Sequence, residues 1–123
     1  WSCAFLDAIR SRFNLGMRDL AQMELNEAFA AQVLGCQAAW DSADYCQAEL
    51  GLDAPIGKMD AARLNPEGGA VAIGHTVGAS GARITLHLLR ALRRKGGGQG
   101  IATLCIGGGQ GGAMLVRVAG SAP

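Results

Sequence analysis

Residues 101–118 read IATLCIGGGQGGAMLVRV. The first six form a short apolar run and the last six are apolar and partly β-branched, so each reads as a strand. The stretch between them, 107–112 (GGGQGG), reads as a glycine loop that closes a β-hairpin. This loop also satisfies G-x-G-x-x-G after a strand, the pattern of a dinucleotide-binding turn. Such a turn must open a helix, and residues 113–118 (AMLVRV) are strand material, so that fold is excluded.

Working back along the chain, residues 96–98 (GGG) stop a helix that opens at Gly78-Ala79-Ser80-Gly81 and runs to about Arg94. Ile84, Leu88, Ala91 and Leu92 share one face, while Leu86 and Leu89 lie elsewhere, as in a helix buried between layers. Ala70 to Ile73 reads as a short buried strand leading into Gly74-His75. Residues 40–62 are a polar connection with a helical turn near Tyr45 to Leu50. Glu27 to Ala39 reads as an amphipathic helix, and Leu20 to Leu25 as a strand ending at Asn26. Residues 3–13 place Phe5, Leu6, Ile9 and Phe13 at helical spacing, with Asn14 as a left-handed C-cap. The succession is an α/β pattern with a layered mixed sheet and a buried helix. Residues 1–118 form one unit and 119–123 a loose tail.

The 123 residues, 50% hydrophobic and 17% charged, exclude disorder by composition and leave room for one compact domain. Four of the 19 glycines fall in residues 1–67 and fifteen in 68–123, so glycine serves local loops in the second half. Charge is uneven as well: residues 1–67 carry 5 basic and 10 acidic side chains, and 68–123 carry 6 basic and none acidic. Four of those six, Arg90 to Lys95, sit where a helix ends and complement its dipole. All six aromatics lie in residues 1–45, so no stacking platform accompanies the basic half, and nucleic acid is not the expected partner. The four cysteines match no zinc or CxxC spacing, which points to a reduced, intracellular protein without metal. No apolar run reaches the roughly 20 residues of a membrane span.

Asn26, His75 and Cys105 fall at or just after the ends of strands, where this architecture places functional groups. Each has a plain structural alternative: a helix cap, a backbone-bonded imidazole, a small buried hydrophobe. Their surroundings favour chemistry. Gly74, Gly78 and Gly81 strip side chains from around His75, and the loop after Cys105 offers backbone N–H groups to an oxyanion. Imidazole and thiol both suit proton transfer near neutral pH. Ser80 misses the G-x-S-x-G nucleophile pattern by one position and reads instead as an anion-binding residue at a helix N-terminus. His87, mid-helix among leucines, reads as structural.

Residues 24–32 (ELNEAFAAQ), 65–83 (NPEGGAVAIGHTVGASGAR) and 100–113 (GIATLCIGGGQGGA) strongly resemble, in order, three characteristic blocks from the C-terminal half of thiolases. That family includes 3-ketoacyl-CoA thiolases and acetyl-CoA acetyltransferases. The resemblance covers nearly the whole chain from about Phe5 and implies the C-terminal half of the thiolase fold. It implies thiolytic cleavage of 3-ketoacyl-CoA with CoA, or the reverse Claisen condensation, by ping-pong transfer through a cysteine thioester. His75 would activate the nucleophile and later polarise the thioester oxygen. Cys105 would be the second catalytic cysteine, and Asn26 would hold the water that completes an oxyanion hole with His75. The Gly107 N–H would serve the other hole, and Gly74 and Ser80 would lie along the substrate. Coenzyme A thioesters would be substrates, with no further cofactor.

Two departures from the family pattern matter. Thr76 follows His75 where a proline is usual, which frees the backbone φ. The family's nucleophilic cysteine belongs to an N-terminal half that these residues do not include, and Cys3 and Cys36 lie in the wrong context to replace it. The first strand of the C-terminal half is likewise not among them, and the chain opens on Trp1, as a processed chain or a piece of a longer one would. Alone, the chain is expected to be inactive, with its sheet edge unpaired and the Ile84–Leu92 helix exposed as an apolar patch. Its partners would be acyl-CoA, CoA and the other thiolase half, in a homo-oligomer when complete. Its compartment would be the cytoplasm, or mitochondria or peroxisomes in a eukaryote. The alternative role is a non-catalytic fragment or pseudo-subunit that binds CoA or a partner.

Overall fold

The structure, a computed structural model, describes residues 2–120, and the side chains from Leu6 onward. The expectations for Phe5 and Cys3 therefore lie outside the described side chains. Helix α1 spans Ser2–Arg12, strand β1 Gln22–Leu25, α2 Ala30–Asp41 and α3 Ala43–Leu50. After a long connection come α4 (Ala70–Ile73), α5 (Ser80–Arg94), β2 (Gly98–Gly107) and β3 (Gln110–Val118).

The three strands form one mixed sheet in the order β1-β2-β3. β1 runs parallel to β2 with Leu25 opposite Thr103, and β2 runs antiparallel to β3 from Gly98↔Val118 to Gly107↔Gln110. The hairpin is tighter than expected, because Gly111 and Gly112 pair within β3 and only Gly108 and Gly109 turn the chain.

Alternation along the strands sorts side chains between two layers. Ile101, Ala113 and Leu115 face Leu6, Leu20, Trp40 and the rest of the larger core, under α1 and α2. Ala102, Leu104, Val116 and Val118 face Ile84, Leu88 and Leu92 of α5. Gly100 lets α5 and β1 come close: a Cβ there would stand 2.5 Å from the Gln22 carbonyl oxygen and 2.8 Å from Leu88 Cδ1. The expected apolar face of α5 is thus correct, but its own sheet covers it. The exposed apolar surface lies elsewhere, at Phe29, Val71, Ile73, Val77 and Ile106, with Leu86 half-exposed on the outer side of α5.

Three further expectations, for Phe13, the start of α2 and residues 70–73, need correction. Phe13 is half-exposed, because α1 ends at Arg12, Asn14 turns the chain with φ +51°, and Leu15 takes the buried position. α2 begins at Ala30 rather than Glu27, because the Glu27 carboxylate reaches away to accept hydrogen bonds from Asn65 Nδ2 (2.9 Å) and the Val71 N–H (3.0 Å). That second bond explains why residues 70–73 form a helical turn and not a strand. It gives a first-turn N–H its acceptor, and Gly69 has no side chain to keep the carboxylate away. Val71 and Ile73 are exposed accordingly.

The outer edge of β1 is not bare. The Met23 N–H donates to the Arg63 carbonyl (2.8 Å), and the Asn65 N–H donates to the Met23 carbonyl (2.9 Å). The Asn65 side chain then continues the ladder, accepting from the Leu25 N–H (2.9 Å) and donating to the Leu25 carbonyl (2.8 Å). Ala119 and Gly120, the start of the expected tail, pack against Gly97. No helix among the described residues is long and apolar enough to cross a membrane.

Candidate active site

On β1 the same alternation sends Met23 and Leu25 into the larger core and turns Gln22, Glu24 and Asn26 toward α5. Asn26 follows the strand, and its N–H extends the parallel ladder by donating to the Thr103 carbonyl (2.9 Å). Its side chain is buried, and Nδ2 lies 3.4 Å from His75 Nε2. The other ring nitrogen, His75 Nδ1, is 2.6 Å from Ser80 Oγ. An amide NH₂ facing Nε2 makes that nitrogen the acceptor, so the proton sits on Nδ1 and points to Ser80. Ser80 Oγ also accepts from the Thr76 N–H at 3.2 Å, a donor that a proline at position 76 would lack.

Asn26, His75 and Ser80 are thus brought together, by β1, the loop after α4, and the first residue of α5. Ser80 is fully buried with its hydroxyl against the imidazole. Gly74 precedes His75 with φ +87° in open space, and its carbonyl is held by Arg83 Nη2 at 2.7 Å. Cys105 stands at the same end of the sheet, two residues beyond Thr103, as a partly exposed free thiol. No hydrogen bond joins it to His75 or Asn26 among the described residues. Gly107 lies at the irregularity that follows it, with φ +116°.

A cavity of about 140 Å³ adjoins the site, between β1, residues 65–73 and α5, with Glu24, Asn26, Glu67 and His87 in its wall. The buried Asn26 Oδ1 has no hydrogen-bond partner among the described residues. Those residues also contain no group of three or more His, Cys, Asp or Glu that could hold a metal ion.

Asn65, Glu24 and Glu67 were not anticipated as part of this region. A signal existed for Glu24, since a carboxylate inside the buried run 20–25 needs a partner. Burial pushes the Glu24 carboxyl up from its usual range, against the opposing pull of Gln22 and His87. Glu67 is held below that range by hydrogen bonds from His87 and Arg94.

The raised group has a measurable sign. The folded state holds the Glu24 proton more tightly than the unfolded chain, so this group's contribution to stability falls as pH rises from 4.5 through its folded value. Relative to Glu24→Gln, the native chain should therefore lose stability over that window in urea titrations. A relative gain would show that the site prefers the carboxylate.

The description "Thiolase, C-terminal domain" matches residues 4–118. The chain belongs to the thiolase family. A 3-ketoacyl-CoA thiolase of Shewanella loihica is 41% identical over 107 residues, which are 87% of this chain and 24% of that protein. The human mitochondrial 3-ketoacyl-CoA thiolase, solved in complex with CoA, aligns with TM-score 0.72 and 34% identity over 98% of this chain and 27% of that one. An acetyl-CoA acetyltransferase from Syntrophomonas wolfei aligns with TM-score 0.74 and 32% identity over 94% of this chain and 26% of that one. The chain spans about a quarter of the length of these thiolases. Its α/β fold is that of a thiolase C-terminal domain, in part.

Proposed function

We propose that this chain supplies the acid–base and oxyanion groups of a thiolase that cleaves 3-ketoacyl-CoA with CoA, or runs the reverse condensation. The observation that carries the reading is the Asn26–His75–Ser80 set at the strand ends, with the Cys105 thiol on the neighbouring strand. His75 Nε2, the accepting nitrogen, takes the proton of a cysteine thiol contributed by the N-terminal portion of the enzyme. The resulting thiolate adds to the 3-keto carbon, the bond between C2 and C3 breaks, and Cys105 gives its proton to the acetyl-CoA carbanion. The Cys105 thiolate then takes the proton of CoA, the CoA thiolate displaces the enzyme cysteine from the acyl group, and that cysteine recovers its proton from His75. Asn26 holds a water that donates, beside His75, to the thioester oxygen, and the Gly107 N–H donates to the other developing oxyanion. Asn26 Oδ1, which has no hydrogen-bond partner among the described residues, gives such a water a second contact.

CoA thioesters are the substrates in this reading, and no cofactor takes part. The complete enzyme is a homo-oligomer in an aqueous compartment that supplies acyl-CoA: the cytoplasm, or mitochondria or peroxisomes in a eukaryote. The 123-residue polypeptide alone lacks the covalent acyl carrier and should not turn over. The test is a chimera in which residues 4–118 replace the matching quarter of the Shewanella loihica thiolase. Thiolysis by the chimera, with none by the polypeptide alone, is the expected result. Turnover by the polypeptide alone, lost on replacing Cys3 or Cys36, would overturn the division of labour. A folded chimera that binds CoA without thiolysis would instead favour a non-catalytic, CoA-binding role.

A further inference from the structure

His87 lies seven residues, two helical turns, beyond Ser80 on α5, and its ring is held on both sides. Nδ1 is 3.1 Å from Oε1 of the buried Glu24, and Nε2 is 2.9 Å from Oε2 of Glu67. The two carboxyls come from different segments. Glu24 is on β1, two residues before Asn26, and its Oε1 also accepts from Gln22 Nε2 at 2.8 Å. Glu67 is in the loop that leads to His75, and it pairs with Arg94 at the far end of α5. A single imidazole therefore joins β1, the 65–74 loop and α5, and each of these leads to one member of the Asn26, His75 and Ser80 set. A neutral imidazole has one N–H. Holding carboxyl oxygens on both nitrogens takes a second proton, on the ring or on Glu24, so the three side chains act as one hydrogen-bonded unit.

We propose that His87 is a positioning residue for His75. Strand alternation puts Glu24 and Asn26 on one face of β1, and the seven-residue spacing puts Ser80 and His87 on one stripe of α5. Closing the Glu24–His87 contact thus fixes how far Asn26 stands from Ser80. Those two side chains hold the exposed His75 ring, at 3.4 and 2.6 Å, and their separation decides whether it keeps Nε2 as acceptor. The Glu67 arm fixes the loop on which the ring is carried. The bearing of this on turnover rests on the acyl-transfer reading above, whereas the positioning itself does not.

The test is imidazole ¹⁵N NMR of the 123-residue chain at a pH where the His75 ring is neutral. The native chain should show His75 as a single tautomer with its proton on Nδ1. His87→Ala should replace that signature with shifts averaged between the two tautomers. His87→Asn, whose amide occupies the place of Nδ1 and keeps the link to Glu24, should retain more of the native signature than alanine. Glu67→Ala removes a half-exposed carboxylate and only the loop arm, so it should fold and give a partial loss. The proposal is overturned if His75 shifts in folded His87→Ala match the native chain, or, should that variant not fold, if they match in Glu67→Ala. If His75 responds as expected while the chimera fails to turn over, the acyl-transfer reading fails and the positioning role stands.

Discussion

Replacing His75 by alanine is expected to lower thiolysis by the chimera about 10²–10⁴-fold, the usual contribution of a positioned acid–base group. The argument is geometric first. His75 is the ionisable side chain in contact with Asn26, whose amide NH₂ faces Nε2 and makes that nitrogen the accepting atom, with Ser80 on the opposite nitrogen. In the proposed reaction, losing the ring would remove both the base for the nucleophilic thiol and one of two groups facing the thioester oxygen, so the loss belongs in kcat with KM little changed. His75 is exposed on a loop, and its removal should leave the urea midpoint nearly unmoved. Burst experiments separate the two roles: without the base, the acyl-enzyme should fail to accumulate. A His75→Ala chimera with near-native kcat would remove His75 from the chemistry and leave it as a loop residue.

Much of this site is legible in the sequence because its members lie at breaks in hydrophobic pattern. Asn26 ends a strand, Cys105 interrupts one, and His75 stands among glycines, so each is visible as a polar group where an apolar or structural residue is the default. The sheet and α5 are legible for the same reason, since their alternation and helical spacing are set by the layers they separate. What the sequence hides is the long-range polar pairing. Glu27 looks like the first residue of α2, yet its carboxylate is committed to Asn65 and Val71, some forty residues away. That commitment both delays α2 and turns 70–73 into a helix, and no local pattern records it. The Ser80–His75 contact is hidden for a similar reason, because the helix N-terminus is legible locally while the imidazole beside the hydroxyl is supplied by the preceding loop. His87 looks structural in the helix wheel, and only its two carboxyl partners show that it ties together the elements under the site.

Trp40→Ala should be the most destabilising single replacement in the larger core, at about 3–5 kcal/mol. Trp40 is fully buried in one core cluster with Leu6, Leu20, Met23, Leu25 and Ile101, which come from α1, β1, β2 and the turn before β1. Only Cys36 and Trp40 of α2 are buried, while Leu34 on the same helix is 70% exposed. The indole is therefore the main anchor of that helix. The Trp40 carbonyl also accepts from the Gly57 N–H at 2.8 Å, which ties down the connection toward Met59 and Arg63. Against a total of about 5–15 kcal/mol for a typical domain, the loss is a large fraction. With an m-value of about 2 kcal/mol/M in urea, it should lower the midpoint by roughly 2 M. Leu34→Ala, on the exposed side of the same helix, should cost less than about 0.5 kcal/mol. Circular dichroism of both variants through a urea series compares them directly. Equal midpoints would mean that α2 is not held by Trp40. Because Asn26 lies between β1 and α2, the larger loss in Trp40→Ala should also loosen the Asn26–His75 contact before the sheet itself unfolds, so the His75 ring signals should broaden at lower urea than the β-strand signal is lost.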